Sequence, residues 1–172
     1  ASLWERKIGW DYIKTETGIT KYKFSEFSGT EKSDLFYIKD KERRLVEIKF
    51  RYVKSTDYPS MMCERGKYHQ LIDMAVKHNA FAEYWCFFLD GVVQIYDLRY
   101  AKVSQSNIER DASDSYNTQN KKNYPTYFLT QDNLYSKKFR DTITLDEINR
   151  FATNVLKKKG YKVPNDFKIT KK

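Results

Sequence analysis

Residues 33–52 read SDLFYIKDKERRLVEIKFRY, and the pattern inside this stretch decides the fold. Leu35 to Ile38 is aromatic and β-branched, the composition of a strand. Lys39-Asp40-Lys41-Glu42 is polar throughout and predicts a short turn. Arg44 to Tyr52 then alternates with a period of two. Val46, Ile48, Phe50 and Tyr52 share one face; Leu45, Glu47, Lys49 and Arg51 share the other. The expectation is a hairpin that buries the first face and leaves the second to water or to a site.

With Asp40 and Lys41 as the two loop residues, Asp34 falls directly across from Glu47, and directly opposed residues have Cβ atoms roughly 4.5–5.5 Å apart. A slightly longer loop moves the pairing by about one position. Two carboxylates that close repel each other unless a cation sits between them. Lys49 lies two residues beyond Glu47 on the same face, so its ammonium reaches the same point. Two acids and a lysine suit a hard divalent cation with a phosphate oxygen beside it, because Mg²⁺ is typically held by one or two carboxylates and keeps its other positions for water and phosphate.

Asp34, followed after twelve intervening residues by Glu47-Ile48-Lys49, resembles the core of the PD-(D/E)XK nuclease superfamily, which includes restriction enzymes, Holliday-junction resolvases and recombination exonucleases. Ser33 stands where the motif's name has proline. The resemblance covers the Asp and the E-x-K and extends loosely over residues 3–98. It implies an α/β (α+β) fold with a restriction-endonuclease-like core: a mixed central sheet of about five strands flanked by helices. The implied order is αβββαβ(β) plus a C-terminal helix. It also implies Mg²⁺ or Mn²⁺ bound by Asp34, Glu47 and the backbone carbonyl of Ile48, with Lys49 assisting attack of water on a phosphodiester, most simply in DNA. Many nucleases of this kind cut two strands as homodimers, so a homodimer stays open. The same fold also serves as a nucleic-acid-binding or protein-binding module with an idle site, and that alternative stays open too. So does a toxin or restriction-type effector with the same chemistry.

A chain of 172 residues reads as one domain with one substantial core. Its net charge of +9 points to a polyanionic partner, namely nucleic acid. Cys63 and Cys86 carry no metal-ligand spacing and read as free thiols in a reducing, cytoplasmic setting. Tyr84 to Leu89, the longest apolar run, is too short to span a bilayer, and no signal sequence is visible.

Leu3 to Lys14 reads as the first helix, with Trp4, Ile8 and Tyr12 as its apolar stripe. Glu5 borders that stripe. In many nucleases of the resembled superfamily a glutamate from this helix reaches the metal, and Glu5 is the matching residue; otherwise it is a first-turn acid favoured by the helix dipole. Lys21 to Phe27 alternates weakly as a first strand. Val53 to Cys63 reads as an irregular connector broken by Pro59, with Lys54 placed for phosphate contact.

Glu64 to Asn79 is the second helix, with Tyr68, Leu71, Ile72, Ala75 and Val76 facing the core. Lys67 and Gln70 lie off the stripe. The exonuclease-like branch of the superfamily carries a glutamine here and a tyrosine four residues on; Gln70 matches, but Met74 stands in the tyrosine's place. Asp90-Gly91 between Phe81–Leu89 and Val92–Leu98 predicts a hairpin. Residues 99–143 read as an irregular excursion, and Arg51, Lys54, Lys67, Lys121 and Lys122 are the candidate phosphate contacts. Thr144-Leu145-Asp146-Glu147 is a capping box opening a last helix that Gly160 ends, so this element spans residues 144–160.

Overall fold

The computed structural model describes residues 3–25, 33–111 and 121–160, with the backbone alone described at 107–111 and 121–124. In chain order the elements are α1 (Leu3–Glu16), β1 (Lys21–Phe24), β2 (Leu35–Lys39), β3 (Glu42–Arg51), β4 (Met61–Glu64) and α2 (Arg65–Lys77). There follow β5 (Phe81–Phe88), β6 (Val92–Asp97), β7 (Lys102–Asp111), β8 (Lys121–Thr130), β9 (Tyr135–Lys138) and α3 (Leu145–Lys158). The fold is α+β, built on a six-stranded mixed sheet in the order β1-β2-β3-β5-β6-β9.

The hairpin of β2 and β3 keeps the two-residue turn. Lys39 pairs with Glu42 and Leu35 with Val46, and Asp40 and Lys41 both hold positive φ, at 52° and 65°. Left-handed backbone at both central residues is what lets a two-residue turn follow the twist of its strands. At its other side β3 runs parallel to β5, with Glu47 beside Tyr84 and Lys49 beside Cys86. A parallel pair needs a long crossover, and here β4 and α2 supply it.

Both faces of the sheet are covered. On one, Val46, Ile48 and Phe50 pack with Trp4, Ile8 and Tyr12 of α1 and Ile148 of α3. On the other, Leu45, Tyr84 and Cys86 pack with Leu71 and Ala75 of α2, Met61 and Cys63 of β4, and Leu129 of β8. Of the two uses expected for the second face of β3, water or a site, open water is not the one found. Leu45 and Glu47 are buried there, while Lys49 and Arg51 are half-buried.

Two stretches expected to be irregular form strands. Met61–Glu64, at the end of the expected connector, pairs with β8, and β8 pairs with β7, giving a separate three-stranded sheet. Within the expected excursion, Tyr135–Lys138 adds a sixth strand to the main sheet beside β6. Of these strands β7 and β9 face water, with Ser104, Gln105 and all four residues of β9 exposed, while β4 and β8 bury Met61, Cys63 and Leu129. Alternation of apolar and polar residues marks only strands with one buried face.

Val76 departs from its expected place, being 76% exposed rather than core-facing. The cap of α3 forms, with Thr144 Oγ1 accepting from Glu147 N at 3.1 Å. Glu147 does not return the bond as a capping box would; its carboxylate takes two hydrogen bonds from Arg140, at 2.6 and 2.9 Å. Both cysteines are buried free thiols. No helix among the described residues is long and apolar enough to cross a membrane.

One polar group is buried inside the apolar run of β5. Glu83 accepts from Tyr37 Oη, from Trp85 Nε1 at 3.2 Å and from Arg44 Nη1 at 3.1 Å. Arg44 also reaches Asp97 at 3.3 Å and Glu42. Buried charges persist only when paired in this way.

Candidate active site

The site begins where β2 ends. In the register of the hairpin, β2 covers β3 as far as Leu35 opposite Val46, and Asp34 N still donates to Val46 O at 2.9 Å. Alternate residues of a strand present their backbone groups to the same edge, so Ile48 and Phe50 face the space past the end of β2. Carboxylates take both N–H groups. Asp34 Oδ2 accepts from Ile48 N at 2.8 Å, and Glu5 Oε1, reaching in from α1, accepts from Phe50 N at 3.2 Å. The carbonyl of Ile48 leaves the strand on this same edge.

Glu47 lies across from Asp34 and is only 3% exposed. Its Oε1 is 3.4 Å from Lys49 Nζ and its Oε2 is 3.3 Å from Lys67 Nζ on the first turn of α2. Oε2 is buried, and the Lys67 ammonium is the partner it faces. Burial, and then the charge of Asp34, raise the Glu47 carboxyl above its ordinary range against the pull of Lys49 and Lys67. Burial pulls the Lys49 ammonium down, but Glu47, Glu5 and Asp34 outweigh it and hold that group above its ordinary value. Lys49 is therefore a firm cation and donor at neutral pH.

Two opposed carboxylates, one of them with a buried oxygen met only by a long ammonium contact, suit a divalent cation that binds through one or two acids. Among the described residues no group of three His, Cys, Asp or Glu side chains gathers as a metal cluster.

The structure brings Asp34, Glu47, Lys49 and Glu5 to one stretch of β3, and Lys67 joins them from α2. Sequence reasoning placed Lys67 off the core stripe of its helix, as a candidate phosphate contact; its contact with Glu47 depends on where α2 crosses β3, which no local pattern reveals. Gln70 is exposed and lines a groove of about 850 Å³ beside Ser33, Phe36, His69 and Lys77. In that groove His69 Nε2 is 2.8 Å from Tyr127 Oη.

Arg51 turns inward, donating to Met62 O at 2.7 Å and to Tyr84 Oη at 3.1 Å. Its guanidinium ties β4 to the main sheet. Lys54 is exposed, and its backbone N–H bonds Asp57 in a local turn at 2.9 Å. Lys121 and Lys122 open β8 opposite Asp111 and Arg110; their side chains lie outside the described residues.

No known family model matches the chain, and no curated protein does. Among solved structures it is similar to Hjc, a Holliday junction resolvase from the archaeal hyperthermophile Archaeoglobus fulgidus, with a TM-score of 0.47 and 11% identity. The match covers 71% of this chain and 82% of that one.

Proposed function

We propose that this chain is a metal-dependent nuclease that hydrolyses phosphodiester bonds, with DNA as its substrate. The observation that carries this reading is Asp34, fixed on Ile48 N at the end of β2, opposite a buried Glu47 that Lys49 attends. Asp34, Glu47 and the Ile48 carbonyl would hold Mg²⁺ or Mn²⁺. A divalent cation held there supplies Lewis acidity, acidifying water and offsetting charge on the scissile phosphate.

The protein's own groups do the rest. The Ile48 N–H fixes the rotamer of Asp34, so the carboxylate does not have to be ordered when substrate arrives. Lys49, whose ammonium lies beside Glu47, orients water and stabilises the negative charge of the pentavalent transition state. Glu5 adds negative charge beside Lys49 and closes the Phe50 N–H. The net charge of +9 attracts the substrate's backbone.

Incubation with linear, circular, branched and single-stranded DNA, with Mn²⁺ and with chelator, tests the reading. Cleavage should require the metal and vanish in Glu47→Ala. A wild-type chain that cuts none of these, or a Glu47→Ala chain that cuts as fast, rejects it.

A second reading has one observation in its favour. Glu47 already has two lysine neighbours, so its charge is balanced with no cation present. On that reading the chain is a binding module with an idle site. Calorimetric titration with Mn²⁺ separates the two, since an idle site takes up no ion that Asp34→Asn abolishes.

A further inference from the structure

We infer that Lys67 is a positioning residue whose ammonium stands in for a second metal ion, so that this site works with a single divalent cation. The inference rests on the metal-site reading of Asp34 and Glu47 and adds to it a limit on occupancy.

The two carboxylate oxygens of Glu47 face two different ammonium groups, Lys49 on its own strand and Lys67 on α2. The first turn of α2 thus lends the site a charge that the Glu-x-Lys pair of β3 does not contain. With Glu47 only 3% exposed, that charge acts across protein rather than across water, where screening would erase it.

The charge balance then limits how many metal ions the site tolerates. Glu5, Asp34 and Glu47 carry three negative charges; Lys49, Lys67 and Arg51 carry three positive ones. The cluster is neutral, and one divalent ion leaves it at +2 towards a phosphodiester, a balance suited to binding and to charge build-up on phosphorus. A second ion would bring the same groups to +4. Among the described residues no group of three or more acid, cysteine and histidine side chains gathers to hold it. In a two-metal site two ions clamp the attacking and leaving oxygens. Here a protein cation 3.3 Å from the Glu47 oxygen opposite Lys49 takes up part of that task.

Lys67 also orients Glu47. A carboxylate held between two ammonium groups from different elements has both oxygens directed. One side chain on a single strand cannot do that.

The test is Mn²⁺ binding followed by the electron paramagnetic resonance signal of the free ion, on wild type, Lys67→Met and Lys67→Arg, without nucleic acid. Wild type should take up one Mn²⁺ per chain. Lys67→Met removes a cation that competes for Glu47, so it should bind Mn²⁺ about tenfold more tightly, while cleaving DNA at least about tenfold more slowly. Lys67→Arg keeps the charge and should stay near the wild-type affinity. A residue that merely braced α2 would give the opposite sign, weaker metal binding in Lys67→Met.

Two Mn²⁺ per wild-type chain, or unchanged or weaker binding in a folded Lys67→Met chain, overturns the inference and leaves the nuclease reading standing. No Mn²⁺ uptake by wild type overturns both. Lys67 is partly exposed on its helix, and thermal melts establish that each variant is folded. Should Lys67→Met fail to fold, Lys67→Gln carries the same expectation.

Discussion

Gly9 of α1 and Ile48 of β3 meet so closely that a Cβ on Gly9 would stand 2.7 Å from Ile48 Cδ1. This approach is what lets Glu5, one turn earlier on the same helix, reach Phe50 N on the same strand. Gly9→Ala gains about 1 kcal/mol of helix propensity and loses about 1–3 kcal/mol to overpacking. Ile48→Val removes the clashing methyl. Gly9→Ala should therefore be more favourable in the Ile48→Val chain than in the wild type, with a coupling of about 0.5–3 kcal/mol in a double-mutant cycle. Denaturant titration of the four chains measures it; additive effects would refute the contact.

Asp34 has two separable tasks. As an acceptor it satisfies the Ile48 N–H, and as a charge it would hold the metal. Asp34→Asn keeps an acceptor and should keep near-native stability while losing cleavage. Asp34→Ala leaves a buried N–H without its partner and should cost about 1–3 kcal/mol besides. Melting curves and cleavage assays on both variants distinguish the tasks. Equal stability in the two would deny the first.

Lys49 should affect rate more than binding. Lys49→Ala is expected to lower kcat by about 10²–10³-fold, the loss typical of one group aimed at transition-state charge. DNA affinity in the presence of Ca²⁺ should change little, because many surface cations share that role. A fall in affinity matching the fall in rate would make Lys49 a substrate contact instead.

Glu83 gives the fold a pH dependence. Burial raises its carboxyl above 4.5, outweighing Tyr37, Arg44 and Trp85. Between 4.5 and that raised value the native chain keeps a proton that the unfolded chain has released. Stability contributed by this group is therefore highest at the bottom of the window, falls as pH rises through it, and levels off above. Glu47, also raised, adds a slope of the same sign. Denaturant titrations from pH 4.5 upward should show wild type losing stability, with a shallower loss in Glu83→Gln. An identical slope in the two would assign the effect elsewhere.

Much of this arrangement is written in local patterns. The alternation of Arg44–Tyr52 and a two-residue turn place Asp34 against Glu47, because a period of two admits only one pairing for a given turn length. The stripe of Trp4, Ile8 and Tyr12 and the Thr144 cap are equally local. The rest depends on contacts between distant segments. Met61–Glu64 offers only four residues of alternation after Pro59, too few to stand out. Ser104 and Gln105 look like loop because their strand is the outer one of a small sheet and both side chains are exposed. Glu83 is hidden in an apolar run, and its partners Tyr37 and Arg44 are dozens of residues away. Val76 fits the spacing of the buried stripe yet lies beyond the reach of the sheet.

The left-handed pair Asp40–Lys41 acts as a gauge for everything along the hairpin. One residue inserted there would slide β2 past β3 by a rung and turn each of its side chains over. Asp34 would then point away from Glu47, and Tyr37 would leave Glu83, while composition and hydrophobic content stayed the same. The length of a loop that touches no substrate is thus as much a part of the chemistry as the acids themselves.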